Sequence, residues 1–220
     1  MIVLGIVGTP AGGKSTVAKM LVELGATWIN ADLIARAVLE RSDVQADLLQ
    51  HYGASIVNSD GVIDRAKLAG MVFGDDDASR RRLDYLESRI HPETKKLITN
   101  QLLEFEKRGD AVAILDVPLM FKSSWDRYCD EIWCVDADKE IRIGRVRSRG
   151  WTPEHLQARE KNQLNIAEKK RLSTQVILNN GTLTELNDTI STLWSSLATR
   201  HSAASDPDHC VESTGRKTLP

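Results

Sequence analysis

Cysteine is scarce in this chain: Cys129, Cys134 and Cys210 are the only three in 220 residues, an odd number without C-x-x-C spacing. Such a set supplies neither a disulfide framework nor a zinc-ligand pattern, fits a reducing compartment, and reads as small core or surface residues. Long apolar runs are missing too, and no stretch approaches the roughly 20 residues that span a bilayer. The N-terminus enters a short apolar run, Ile2 to Val7, with no basic leader and no cleavage pattern, so no signal peptide is expected and the cytoplasm is the simplest location. Neither sign of charge dominates, since 29 Lys and Arg face 31 Asp and Glu for a formal net charge of −2. That balance argues against a general nucleic-acid coat or a polybasic membrane binder. Aromatic residues, at 5%, do not alternate with the arginines as they would on a surface that stacks bases. What is left, 41% hydrophobic and 27% charged with no internal repeat, is a globular composition. The length suits one domain, or one with an inserted subdomain, around a sizeable core.

The stretch Gly8-Thr9-Pro10-Ala11-Gly12-Gly13-Lys14-Ser15-Thr16 satisfies G-x-x-x-x-G-K-[ST] at every constrained position. The apolar run before it and Val17, Met20, Leu21 and Leu24 after it, at helical spacing, give the context strand, glycine-rich turn, helix. Glycines at 8, 12 and 13 allow successive backbone N–H groups to converge on phosphate oxygens, aided by the positive end of the following helix. Lys14 suits the β- and γ-phosphates, Ser15 a Mg²⁺ ion, and Thr16 a further phosphate contact. Ala11, Gly12 and Gly13 complete the expected ATP cradle.

Downstream, Gly25 stops the first helix, and Ala26 to Ile29 forms a short strand ending in Asn30-Ala31-Asp32. Asp32 opens a helical pattern, either as its cap or as a residue at a strand's carboxyl end, where open α/β sheets bind ligands. Residues 42 to 110 read as mainly helical. They include a helix ending near Gly53, a turn at Ser59-Asp60-Gly61 between two β-like pieces, and a helix capped by Asp64. Two longer helices follow, one through Leu83, Leu86 and Ile90, the other after Pro92 through Leu97, Ile98, Leu102 and Phe105. A strand from Ala111 to Leu115 ends in Asp116, which either associates with the metal through water or caps the turn before Pro118.

Glu131 to Val135 forms the next strand, ending at Asp136, with Asp138 as the cap of the helix after it. That helix carries Arg142, Arg145, Arg147 and Arg149 before Gly150, and another opens at Thr152-Pro153-Glu154. The pair suits a mobile lid closing on phosphates, or else a solvated basic helix end. Gln175 to Leu178 is a last strand, Asn179-Asn180-Gly181 a tight turn, and Leu183 to Leu197 one face of a closing helix. Beyond Arg200 the periodicity vanishes, as in a disordered tail over residues 201–220.

Taken in order over roughly residues 1 to 197, these motifs resemble the dephospho-coenzyme A kinase family. The carriers are the glycine-rich loop, Asn30-Ala31-Asp32-Leu33-Ile34-Ala35-Arg36, Tyr52-Gly53, Gly61-Val62-Ile63-Asp64-Arg65, His91-Pro92, Asp116-Val117-Pro118-Leu119-Met120-Phe121, Arg145 with Arg149, Arg159 with Gln163, and Asn179-Asn180-Gly181. The resemblance implies transfer of the ATP γ-phosphoryl to the ribose 3′-hydroxyl of dephospho-CoA, with Asp32 as the base. It places Arg36, His91, Pro118, Leu119 and Phe121 on the acceptor side, Arg145 and Arg149 in the lid, and Asn179 near the adenine. Four features depart from the family pattern. Asn30 replaces the first acid of Asp-Ala-Asp, Lys122 a glutamate, Leu178 an acid before Asn-Asn-Gly, and Thr9-Pro10-Ala11 the usual loop filling.

The expected fold is α/β, a P-loop kinase with a five-stranded parallel sheet flanked by helices. Its core comprises residues 1–54 and 111–200, with a helical acceptor-side insertion about 55–110 and a helical lid about 145–170. ATP and Mg²⁺ are the expected cofactors, and the expected partners are the two small-molecule substrates, with no nucleic acid or membrane, on a monomer or small homo-oligomer. The alternatives are a kinase for another small alcohol or nucleotide, and a nucleotide-binding regulatory protein with weakened catalysis.

Overall fold

The computed structural model describes residues 1–74, 76–148, 152, 156–157, 160–161 and 163–203. Arg149, Arg159, Cys210, the start of the expected second lid helix at Pro153-Glu154 and residues 204–220 of the expected tail lie outside them, whereas residues 201–203 of that expected tail continue the last helix.

Five strands, β1 (Ile2–Gly8), β2 (Thr27–Asn30), β3 (Val112–Asp116), β4 (Glu131–Asp136) and β5 (Gln175–Leu178), form one parallel sheet in the order β2-β3-β1-β4-β5. The described helices are α1 (Lys14–Glu23), α2 (Ala31–Leu39), α3 (Ser42–Tyr52), α4 (Arg65–Val72), α5 (Asp77–Arg108), α6 (Lys139–Arg147), α7 (Ile166–Arg171) and α8 (Leu183–Ala203). Every residue of β3 is buried, as the unbroken Val-Ala-Ile-Leu run requires of a strand covered on both faces. The chain leaves β1 toward β2 on one side and leaves β3 toward β4 on the other, so these neighbouring strands mark a switch point, where such sheets bind ligands at the carboxyl ends. Register brings those ends level, pairing Gly8 with Val135, Asn30 with Asp116, and Asp136 with Leu178.

The chain divides into two compact units, Met1–Asn30 with Leu102–Pro220, and Ala31–Gln101. In the first, Leu4, Ile6, Ile114, Trp133 and Val135 of the sheet bury against Val17 and Leu21 of α1 and against Leu186, Ile190 and Leu197 of α8. Full burial of each such side chain contributes about 1.5–3 kcal/mol. Gly25, at φ 107°, ends α1 as expected, and the Ala26 N–H returns to the Leu21 carbonyl at 3.0 Å. Cys134 of β4 is fully buried, and burial pushes its thiol up to about 11. Asp138 sits at the start of α6, but its side chain makes no capping bond there, contrary to expectation. Its own N–H instead donates to Asn180 Oδ1 at 2.9 Å.

The second unit is helical around its own core, where Val38, Leu48 and Ile56 are fully buried. Asp64 caps α4 by accepting from the N–H groups of Ala66 at 2.8 Å and Lys67 at 3.2 Å. The two β-like pieces around Ser59-Asp60-Gly61 reduce to a single antiparallel bridge, Val57 to Ile63. Asn58 organises that turn, because its Oδ1 accepts from the N–H groups of both Asp60 and Val62 at 3.0 Å. Pro92 does not divide the following helices as expected, since α5 runs through it for 32 residues. A proline here removes the donor to the Ser88 carbonyl, but Ser88 and Pro92 are both exposed, so water can replace the lost bond. Burial of Ile90 before the proline and of Ile98 and Leu102 after it favours continuing the helix.

Candidate active site

The loop between β1 and α1 is held from several sides, through its backbone groups and the Thr9 hydroxyl. The Gly8 carbonyl accepts from Lys169 Nζ at 2.8 Å. Thr9, nearly buried, gives its N–H to the Val135 carbonyl at 3.2 Å and its hydroxyl to Asp136 Oδ1 at 3.0 Å. Arg145 Nη1 reaches the carbonyls of Ala11 at 3.3 Å and Gly12 at 3.1 Å, while its Nη2 donates to the Asn179 carbonyl at 2.9 Å. Buried Asn179 closes the circuit from the other side, with Nδ2 donating to the Gly12 carbonyl at 2.9 Å. These bonds occupy the carbonyls of Gly8, Ala11 and Gly12.

The glycines make this closeness possible. A Cβ on Gly8 would lie 2.0 Å from the Val135 carbonyl oxygen, and one on Gly13, where φ is 111°, would lie 2.1 Å from Asn179 Nδ2. Gly13 opens α1 with no side chain to cap it, so the positive end of the helix and its first N–H groups are left to an anion. Ala11 holds a left-handed φ of 61°, unusual for a residue with a Cβ. Lys14 and Thr16 are half-buried in the first turn of α1, and Ser15 is exposed.

Asp136 and Lys169 were not singled out as functional by the sequence, yet they anchor this loop. Burial raises Asp136, but hydrogen bonds from Lys170 and Thr9 outweigh that effect and leave it below the usual carboxylate range. The Lys170 ammonium lies 2.7 Å from Asp136 Oδ2. Burial, followed by repulsion from Lys14, lowers Lys169 to about 8. The only sequence signal was indirect: Asp136 ends a strand parallel to β1, and Lys169 lies in a charged run, Glu168 to Arg171, that reads as solvated.

Of the expected site residues in the first unit, the structure gathers Ala11, Gly12, Gly13, Arg145 and Asn179 into one bonded cluster at the head of α1, which begins with Lys14. Asp116 is buried at the end of β3, in the strand beside β1. Pro118, Leu119 and Phe121 follow it and line a small cleft with Val7 and Lys169, and exposed Lys122 also borders that cleft. Arg142 is taken up by the fold. It is buried, donates Nε to the Ala137 carbonyl at 2.8 Å, and pairs with Glu160. Among the described residues no cluster of three or more His, Cys, Asp or Glu is assembled for a metal. The serine and single carboxylate here match instead the sparse protein ligation of Mg²⁺, which keeps waters and takes further oxygens from substrate phosphates.

Asp32, Arg36 and His91 belong to the second unit. Asp32 lies inside the first turn of α2 rather than before it, so the position ahead of the helix falls to Asn30. Asn caps as well as Asp does, which makes this departure structurally mild. Asp32 and Arg36 are exposed and four residues apart on α2, hence on one face, and His91 is exposed on α5.

Comparison with known proteins bears on these features together. A family model described as dephospho-CoA kinase matches residues 2–185. The curated dephospho-CoA kinase of Rhodopirellula baltica is 41% identical over 184 residues, 84% of this chain and 85% of that protein. A solved structure, TT1252 from Thermus thermophilus, superposes with a TM-score of 0.76 at 31% identity, covering 89% of this chain and 97% of its own. The dephospho-CoA kinase from Campylobacter jejuni shares the fold at a TM-score of 0.68 and 22% identity, covering 90% of this chain and 98% of its own. The match therefore runs through the braced loop, β3 with Asp116 and the Asn179 turn alike, and the chain belongs to the dephospho-CoA kinase family.

Proposed function

We propose that this protein transfers the γ-phosphoryl group of ATP to the ribose 3′-hydroxyl of dephospho-CoA, releasing coenzyme A and ADP. Family membership over residues 2–185 carries the choice of acceptor, and the bonded loop at the head of α1 supports the donor half. The 3′-oxygen attacks the γ-phosphorus, the bond to the β,γ-bridging oxygen breaks, and the hydroxyl proton passes to the Asp32 carboxylate. Lys14 and the N–H groups opening α1 neutralise charge on the transferring group, and Thr16 adds a phosphate contact.

Ser15, with Asp116 acting through water, would hold Mg²⁺, whose contribution when bound is to neutralise the β- and γ-phosphate oxygens. Arg145 and Asn179 keep the loop in shape beside the adenine, and Arg149 joins Arg145 in a lid over the phosphates. Arg36, His91, Pro118, Leu119 and Phe121 receive dephospho-CoA, the exposed charge of Arg36 suiting an anionic acceptor and the cleft beyond Asp116 its apolar parts. Residues 55–110 shape that acceptor side. The protein works in the cytoplasm as a monomer or small homo-oligomer, with neither nucleic acid nor membrane as partner. Its near-balanced charge and two thiols outside any disulfide suit that setting; no described helix is long and apolar enough to cross a membrane.

The test is ADP release measured across dephospho-CoA, nucleosides and sugar acids as acceptors. Selective turnover of dephospho-CoA is expected, and preference for any other acceptor overturns the assignment.

A further inference from the structure

A lysine with 5% of its surface exposed ordinarily has a carboxylate paired with it, and among the described residues none forms an ion pair with Lys169. Its ammonium donates to two neutral oxygens, the Gly8 carbonyl at 2.8 Å and Gln163 Oε1 at 2.6 Å. Burying a cation without an anion costs several kcal/mol. The fold nevertheless keeps it at a joint. Gly8 is the first residue of the phosphate loop, and Gln163 stands at the end of the segment leading from α6 into α7. Lys169 also lines two openings, a cavity of about 250 Å³ with Thr9 and Pro10 and the cleft with Pro118 and Phe121.

We infer that Lys169 is a positioning residue for phosphoryl transfer, which fixes the Gly8 carbonyl to Gln163 and so sets the entry to the phosphate loop relative to the turn that leads into α7. This inference rests on the proposed kinase reaction. Among the described residues, the groups facing Lys169 are Lys14 of α1, Cys134 and Asp136 of β4, Glu160, Arg142 of α6, its neighbour Lys170, and Lys122 across the cleft. The two acids are each bonded to another cation, Asp136 to Lys170 and Glu160 to Arg142. Repulsion from Lys14 remains, and the anionic phosphates that Lys14 receives would relieve it. Nucleotide binding therefore favours the charged form of Lys169, and the charged form favours nucleotide binding. Loss of the proton leaves two N–H donors on the amine, but weakens both bonds by removing their charge.

Burial holds Lys169 near 8 in the free protein, so the charged form prevails below that pH and is lost as pH rises through it. In the wild type, kcat/KM for ATP is expected to fall above about pH 8, while kcat, which reports the nucleotide complex, falls only at higher pH. ATP binding at pH 8.5, followed calorimetrically in buffers of different ionisation enthalpy, takes up protons. Lys169→Met abolishes both the alkaline limb and the uptake and lowers kcat/KM at pH 7 by about 10- to 100-fold. Lys169→Arg, which does not titrate, recovers part of the activity without the limb. Gln163→Leu is milder for folding and moves the limb to lower pH, because one acceptor of the charged form is gone. An unchanged limb in Lys169→Met, or an unmoved one in Gln163→Leu, overturns the inference. A wild type without dephospho-CoA-dependent ADP release overturns the reaction instead, and the proton uptake on ATP binding still reads Lys169 directly.

Discussion

The phosphate loop and the exposed face of α2 solve opposite problems. Around the loop, backbone carbonyls are bonded by Arg145, Asn179 and Lys169, two of these three partners buried to 5% exposure. On α2, Asp32 and Arg36 are exposed. A loop that must aim N–H groups at one point needs its alternative conformations removed, and that is done by chemistry that also stabilises the fold. An exposed carboxylate on a helix adds little to stability, so its presence is governed by what it meets. Substitution in the first region should therefore cost stability and activity together, and in the second activity alone.

The sharpest way to break this contrast is Asp32→Asn. Turnover should fall by about 10²- to 10⁴-fold, the usual value of a general base, with ATP affinity and thermal midpoint nearly unchanged. Near-normal turnover would remove Asp32 from the reaction, and a large fall in melting temperature would remove it from the exposed class. Lys14→Ala comes next, with a loss of about 10²- to 10³-fold in kcat/KM accompanied by weaker nucleotide binding. An unchanged rate would be incompatible with a phosphate role for the loop. Asn179→Ala sharpens the contrast from the structural side, because it leaves the buried Gly12 carbonyl with one donor fewer. Destabilisation of about 1–3 kcal/mol is expected by thermal or urea unfolding, with a rise in KM for ATP. A rise in KM with full stability would make Asn179 a ligand contact rather than a brace.

Much of the first region was legible because its signals are local. The apolar run, Gly8, Gly13, Lys14 and the periodicity from Val17 to Leu24 are contiguous, and strand, turn and helix follow from them without tertiary information. The Asp64 cap was legible for the same reason. What escaped depends on residues distant in the chain. Thr9 looked like arbitrary loop filling until Asp136, 127 residues away, took its hydroxyl. Lys169 was hidden because nothing local distinguishes a buried lysine from half-buried, ion-paired Lys170 beside it. Pro92 misled in the opposite direction: its local rule for breaking a helix is sound, but solvent exposure at that point and burial on both sides outweigh it. Arg36 and His91 were named through family resemblance, and Asp32, flagged by its place at a strand's end, took its role as base from the same source, since their exposure leaves no mark of function in the hydrophobic pattern.

Cys134 gives this architecture a built-in clock. Its thiol is fully buried in β4, one residue before the Val135 carbonyl that holds the Thr9 N–H and two before the carboxylate that takes the Thr9 hydroxyl. With its ionisation pushed up to about 11, it presents almost no thiolate at neutral pH. A thiol reagent is therefore expected to modify it on local opening of β4, which would also loosen the Thr9 anchor of the phosphate loop. The rate at which Cys134 is modified counts how often the loop loses its floor, and any ligand that fastens the loop should slow that count.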